Sequence, residues 1–309
     1  MTGGAIATTG SVMPRSDHPL LPVLAAFTAI GLLSWMDAFM KSASLMVGAY
    51  SALLLRAPIG FAIAAPLWLG LGGRWPRGTV LRLHLVRGVV VAGMAFLFFF
   101  SLTLLPLAQA IAISFIAPLI ALFLASVLLG ERIGRQAIAG ALLGLAGVAV
   151  ILAGKIWRET LGAGAPLGIA AVLASAVLYA WNLVLQRQQA MVAKPLEVAT
   201  FQNGVTFLTM IGFAPVFFRL PHGDAWSDIG ISALLSVSGA LLFTWGYARA
   251  ETQRLAPLEY SGFLWAALFG WLFFREPVPG PTIAGAALIV AGCWIATRGH
   301  PPEPEQVAV

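Results

Sequence analysis

The sequence predicts an all-α polytopic membrane protein in which ten transmembrane helices form two inverted five-helix repeats. Three observations carry that expectation. Apolar residues fill 60% of the 309 positions and charged residues only 10%, with a mean hydropathy of +0.91, which leaves too little polar surface to cover a water-soluble globule. Ten apolar runs follow one another along the chain, each near the roughly 20 residues that a helix needs to cross a hydrocarbon core with its backbone bonded internally. The chain also matches itself at an offset of 145 residues.

In order, the runs cover residues 20–41, 44–71, 83–105, 107–129 and 136–155, then 166–187, 196–218, 229–249, 254–274 and 279–298. They are continuous, whereas the strands of a membrane barrel would alternate. Helix breakers separate them, among them Gly72-Gly73-Arg74-Trp75-Pro76, Gly162-Ala163-Gly164-Ala165-Pro166, Pro221-His222-Gly223-Asp224 and Pro277-Val278-Pro279-Gly280-Pro281. Residues 20–155 make the first repeat and 166–298 the second, flanked by polar or Pro-rich tails at 1–19 and 299–309. The first run is too long for the apolar part of a signal peptide, and Asp37 and Lys41 follow where a cleavage site would lie, so it reads as a membrane anchor.

A net charge of +6 invites a nucleic-acid reading, but the distribution of charge argues against it. With the amino terminus inside, twelve of the eighteen Lys and Arg residues, Arg82 and Arg87 among them, fall in cytoplasmic segments, five fall outside, and Arg56 lies within a span. That is the positive-inside bias, and it puts both tails on the cytoplasmic side of the inner membrane. A single cysteine, Cys293, leaves no disulfide within the chain.

The internal match is densest between residues 108–151 and 253–296, with ten identities in 44 positions, including Glu131 with Glu276 and Ile138-Ala139-Gly140-Ala141 with Ile283-Ala284-Gly285-Ala286. One further residue of offset aligns Trp35 with Trp181, Lys41 with Arg187 and Arg56 with Gln202. Five helices is an odd number, so the second copy enters the membrane from the opposite side. Two halves related in this way trade inward-open and outward-open arrangements at little energetic cost, with a substrate site near the midplane, and alternating access is expected to proceed by rocking of the halves. Gly140 and Gly147, with Gly285 and Gly292, suit close helix contact within each half.

These features, with PLAQAIAISFIAPLIALFLASVLLGERI in the first half and APLEYSGFLWAALFGWLFFREPV in the second, resemble the drug/metabolite transporter superfamily, EamA type. The resemblance covers residues 20–298 and implies a secondary transporter for small organic metabolites. The first-helix string SWMDAFMK, followed by Arg56, is similar to a subset that includes uptake carriers for vitamins and S-adenosylmethionine. Phe263 stands where that family has a proline in its ninth helix, leaving Gly262 as the soft point.

An ionised side chain at the bilayer centre costs about 2.5–3.5 kcal/mol on insertion scales, so each one should face the bundle interior and find a partner. Ser34, Asp37, Lys41 and Ser44 fall within an arc of about 80° on the first helix. Lys41 is expected to snorkel to the outer surface, in an interfacial pair with Asp37, while Asp37, about 6 Å deeper, either lines the pathway or serves that pair. Arg56 lies near the midplane of the second helix. Asp37, Glu259 or a substrate carboxylate or phosphate could neutralise it through the planar guanidinium fork. Glu259 and Asp37 are the candidates for carrying a coupling proton. Tyr179 and Asn182 belong to a polar face of the sixth helix with Ala171, Ser175 and Gln186, and Gln202 to one of the seventh with Thr206 and Thr209; each face is either interhelical glue or the wall of a wet cavity. Trp35, Trp181 and Tyr260 offer aromatic surface for substrate or for packing. Pro118 cannot bond to the Ser114 carbonyl and is the hinge candidate. Glu131 and Glu276, at opposite surfaces before the fifth and tenth helices, are expected to be structural corners favoured by a helix amino terminus.

There is no GxxxxGK[ST] phosphate loop, HExxH motif or Cys/His cluster, and His18, His84, His222 and His300 are scattered among tails and helix ends, so neither cofactor nor metal is expected. The partners implied are a small anionic or zwitterionic molecule, the lipid bilayer and a coupling proton, with a monomer or homodimer both compatible. The alternative is a polytopic membrane enzyme acting on lipid or prenyl phosphates, which calls for clustered acids or a concentrated basic patch that the sequence lacks.

Overall fold

The computed structural model describes residues 20–117, 119–120, 135–158, 164–190, 192–247 and 258–297. Pro118 and Glu131 lie outside the described residues. Every element among those described is helical: α1 (Leu21–Val47), α2 (Ala49–Gly70), α3 (Gly78–Leu102), α4 (Leu107–Ser114), α5 (Arg135–Arg158), α6 (Ala165–Ala190), α7 (Pro195–Ile211), α8 (Ala214–Phe217), α9 (Ala225–Tyr247), α10 (Ser261–Phe274) and α11 (Gly280–Thr297). Five of them, over 21–47, 49–70, 78–102, 165–186 and 225–246, are long and apolar enough to cross a membrane, and shorter apolar stretches run over 138–151, 261–274 and 280–292.

Local sequence accounts for the boundaries. Pro22 opens the first turn of α1, where a missing N–H costs nothing. No breaker then intervenes before Gly48, whose φ of +84° reverses the chain directly into α2. The helix therefore runs six residues past Lys41, which a run ending at residue 41 would have left at the surface. The loop at 275–279 turns through Arg275 in the left-handed region at φ +55° and the prolines at 277 and 279 before α11 begins.

The helices pair mainly across the two repeats. The most extensive packing is α5 on α11, then α1 on α9, α3 on α6 and α2 on α7. Under the repeat, α1 corresponds to α6, α2 to α7, α3 to α9 and α5 to α11. The α1–α9 and α3–α6 pairs are thus one arrangement used twice, and α2–α7 and α5–α11 each join a helix to its own counterpart. This corrects the expectation that Gly140, Gly147, Gly285 and Gly292 serve close helix contact within each half. A Cβ on Gly147 would stand 2.6 Å from the Gly285 carbonyl oxygen, one on Gly285 2.5 Å from that of Gly147, and one on Gly292 2.5 Å from that of Gly140. The glycines do allow the close approach expected of small residues in lipid, but between the repeats: Gly147 meets Gly285 and Gly140 meets Gly292, each contact being the repeat-related equivalent of the other.

Candidate functional site

Arg56 projects from α2 into the space between α1, α3 and α9. Its Nη1 donates to Ser236 Oγ on α9 at 3.2 Å and approaches the Met36 sulfur on α1 at 3.6 Å. The guanidinium carbon lies 5.5 Å from the centre of the Phe99 ring on α3, within cation–π range. Asp37 is close enough to interact electrostatically with Arg56, but the two make no direct ion pair. The buried Nε–H of Arg56 has no hydrogen-bond partner, and Ser44 Oγ, Ser261 Oγ and Trp265 Nε1 are buried in the same state. Met36, Phe99 and Ser236 escaped the sequence reading because they come from three different helices.

Lys41 overturns an expectation. It is 3% exposed and points inward from α1, pairing with Glu276 rather than with Asp37 at the surface. It also donates to the Leu105 carbonyl at 2.9 Å and lies 4.9 Å from the centre of the Phe274 ring. The cause is the extra length of α1, which continues six residues beyond Lys41 and keeps the side chain within the bundle. Glu276 is a structural corner, but for another helix than expected: its Oε2 accepts from the backbone N–H of Leu107 at 2.8 Å, at the first turn of α4, where a carboxylate satisfies an orphan donor and complements the helix dipole.

A second buried polar cluster joins α3, α6 and α7. Arg87, 6% exposed, donates from Nε to Asn182 Oδ1 at 2.9 Å, from Nη1 to Gln189 Oε1 at 2.5 Å and from Nη2 to Gln186 Oε1 at 3.5 Å. The Gln189 amide reaches His84 Nδ1 at 2.5 Å, and His84 Nε2 meets Glu197 Oε1 at 3.0 Å. The imidazole stacks on Phe201, with ring centres 4.6 Å apart. Arg87 is therefore not a cytoplasmic loop charge, and His84 is not a residue of a frayed helix end. A signal was present in the sequence: His84, Arg87, Gly88, Val91 and Ala95 recur at helical spacing, and all of them are buried.

The remaining predicted residues fall into two sets. Tyr179, half-buried on α6, is in electrostatic reach of both Arg87 and Glu259, and Asn182 is held by Arg87, so these gather around the second cluster. Ser175, on the same face, donates to the Met94 carbonyl at 2.8 Å, which makes that face glue toward α3. Glu259 itself is exposed, while Gly262, Ala266 and Gly270 form the buried face of α10. Trp35 and Trp181 are exposed, the former stacked on Phe269 of α10 at 5.9 Å. Tyr260 meets Phe115 edge-on at 5.5 Å, and Gln202 is half-buried on α7. The structure brings none of these last four to Arg56. An apolar groove of about 320 Å³ between α3 and α6, lined by Phe96, Phe100, Leu167 and Ala171 among others, holds no ionic group.

Long apolar helices and ionic side chains turned into the bundle define a multi-pass membrane protein. The chain belongs to the EamA-like transporter family, which matches residues 20–153 and 166–298. It is 29% identical to the pseudopaline exporter CntI of Pseudomonas aeruginosa over 280 residues, covering 90% of this chain and 95% of that protein. It is 30% identical to the aromatic amino acid exporter YddG of Ancylobacter novellus over 301 residues, covering 92% and 98%, and 28% identical to a riboflavin transporter of Rhizobium johnstonii over 70% of each. One solved structure at 26% identity superposes with a TM-score of 0.62, covering 92% of this chain and 97% of that one.

Proposed function

We propose that this chain is a secondary carrier that moves a small amphipathic metabolite with an anionic or zwitterionic group across the inner membrane by alternating access, with ten spans and both tails cytoplasmic. The observation that carries the reading is Arg56. A guanidinium inside an apolar bundle, with an unsatisfied Nε–H and no carboxylate in direct contact, is costly to maintain for packing alone. It is well suited to receive a cargo carboxylate through a bidentate pair. Phe99 and Met36 supply an adaptable apolar wall for the rest of the molecule. Named relatives that move aromatic amino acids, pseudopaline and riboflavin support a cargo that joins a polar head to a flat or apolar body. Because the helices exchange partners, the bodies that move are mixed: α1, α2 and α9 on one side, α6, α7 and α3 on the other, turning about the α5–α11 crossing.

The test is a thermal-shift screen of the purified protein in detergent against amino acids, vitamins and nucleosides. A bound compound raises the melting temperature in proportion to the logarithm of its concentration over its dissociation constant. A carboxylate-bearing compound should be recovered unaltered and should produce a shift that Arg56→Ala abolishes. An equal shift in Arg56→Ala would remove the site, and conversion of the compound to product would remove the carrier.

A further inference from the structure

The cluster around His84 contains a forced choice that the carrier reading does not use. Arg87 has only donors, so the Gln189 atom 2.5 Å from its Nη1 must be the amide oxygen. That fixes the other end of the amide: the Gln189 NH2 faces His84 Nδ1 at 2.5 Å. Nδ1 must then be the acceptor, so the imidazole carries its single proton on Nε2, where it donates to Glu197 Oε1 at 3.0 Å. One guanidinium thus dictates the tautomer of a histidine one helical turn away, through an amide on another helix.

We infer that His84, Gln189 and Arg87 form a proton-operated latch between α3 and α6. When His84 takes up a proton, the new N–H bond forms at Nδ1 and points at the Gln189 NH2, so two donors confront each other in a site where His84 is 1% exposed. Neither can turn to water. The amide can accept from Nδ1–H only by rotating its oxygen away from Arg87, and the Arg87–Gln189 bond breaks. The C-terminal turns of α6 lose the charge-assisted one of their two 2.5 Å ties to α3, while Nε2–H keeps its bond to Glu197 on α7. The proton is the ligand of this site, and Glu197, with 15% of its side chain exposed, is its door.

The groups facing His84 allow this. From α7 come Glu197 and the ring of Phe201, from α6 Gln189, and from α3 itself Arg87, while α2 contributes Trp68 through its contact with Phe201. Tyr179 and Glu259 lie beyond Arg87, and Arg82 and Lys194 are exposed. The carboxylate of Glu197 offsets the charge that the imidazolium acquires, whereas Arg87 opposes it until the amide lets go.

The test is amide hydrogen exchange of the full chain in lipid nanodiscs at pH 5.5 and 7.5, corrected for intrinsic rates, followed over residues 182–198 with α5 as reference. Wild type should lose protection in this segment at low pH by roughly tenfold, the size of one charge-assisted hydrogen bond. His84→Asn, which retains a group able to accept at the Nδ1 position but does not titrate, should show no such change. Gln189→Glu is near-isosteric and accepts from Nδ1–H and from Arg87 at once, so acidification should no longer separate the helices although the imidazole is retained. No pH-dependent loss in wild type, or the same loss in Gln189→Glu as in wild type, would overturn the latch. The readout needs no cargo, so it stands or falls apart from the role of Arg56.

Discussion

Replacing Lys41 by methionine tests whether the inward ion pair organises the end of the bundle where α1, α4 and the 275–279 loop meet. Methionine keeps most of the apolar stem but removes the ammonium. Two acceptors then lose their donor. One is the carbonyl of Leu105, in a residue 2% exposed, for which an unsatisfied oxygen costs about 1–3 kcal/mol. The other is Glu276 Oε1, one-fifth exposed at its side chain, so water can partly solvate it while Oε2 retains the Leu107 N–H. Breaking a fully buried pair costs about 3–5 kcal/mol; with that partial exposure the expected loss is about 2–3 kcal/mol, or roughly 3–5 °C in melting temperature for a chain of this length. Glu276→Gln alone leaves the ammonium buried without a counter-charge and should cost a similar amount. The double variant Lys41→Met/Glu276→Gln removes both charges and should be less destabilised than the sum of the singles, the signature of direct coupling. Thermal unfolding in one detergent, followed by tryptophan fluorescence, gives all four values. Strict additivity, or a Lys41→Met protein as stable as wild type, would refute the account.

The α5–α11 crossing makes its own prediction. Gly147→Val forces side-chain atoms against the Gly285 carbonyl and Ile289, both 2.6 Å from the nearest Cβ position. Overpacking of about 1–3 kcal/mol should exceed the roughly 1 kcal/mol gained by removing a helical glycine, lowering the melting temperature. Gly230→Ala on α9, where nothing lies within 4 Å, should hold or raise it in the same assay. If Glu259 carries the coupling proton, uptake into proteoliposomes should depend on a proton gradient in wild type and lose that dependence in Glu259→Gln; equal dependence in both would exclude it.

What the sequence made legible was whatever repeats or follows a helical period. Hydropathy gave the helices over 49–70, 165–190 and 225–247 to within a few residues of their ends, because composition and length decide a span. The self-match located the glycines of α5 and α11, whereas their close approach to one another's backbone across the repeats shows only in the packing of the two helices. Lys41 was misplaced because a run of apolar residues does not announce where its helix stops; Gly48 does, through its φ. The Arg56 surroundings and the His84 cluster are assembled from three or four helices each, and no spacing along one chain encodes such a meeting.

The scaffold is symmetric and the chemistry is not. At the shared offset Arg56 faces Gln202, Asp37 faces Leu183, Arg87 faces Ala233 and His84 faces Gly230, whereas Lys41 faces Arg187, so the groups around Arg56 and the His84–Arg87 pair meet uncharged residues in the other repeat. A carrier with one cargo site near a two-fold axis needs its charge once, since a second guanidinium across the axis would repel the first in a medium of low dielectric constant. Exchanging the two, as Arg56→Gln with Gln202→Arg, asks whether the site belongs to the scaffold or to the first repeat. The transplanted guanidinium would find Leu183 where Arg56 has Asp37 in electrostatic reach, so the exchanged protein should fold yet show no cargo-dependent rise in melting temperature. A full shift in the exchanged protein would mean that the two-fold relation extends to the chemistry, and that the neighbours of Arg56 on α1, α3 and α9 are dispensable for binding.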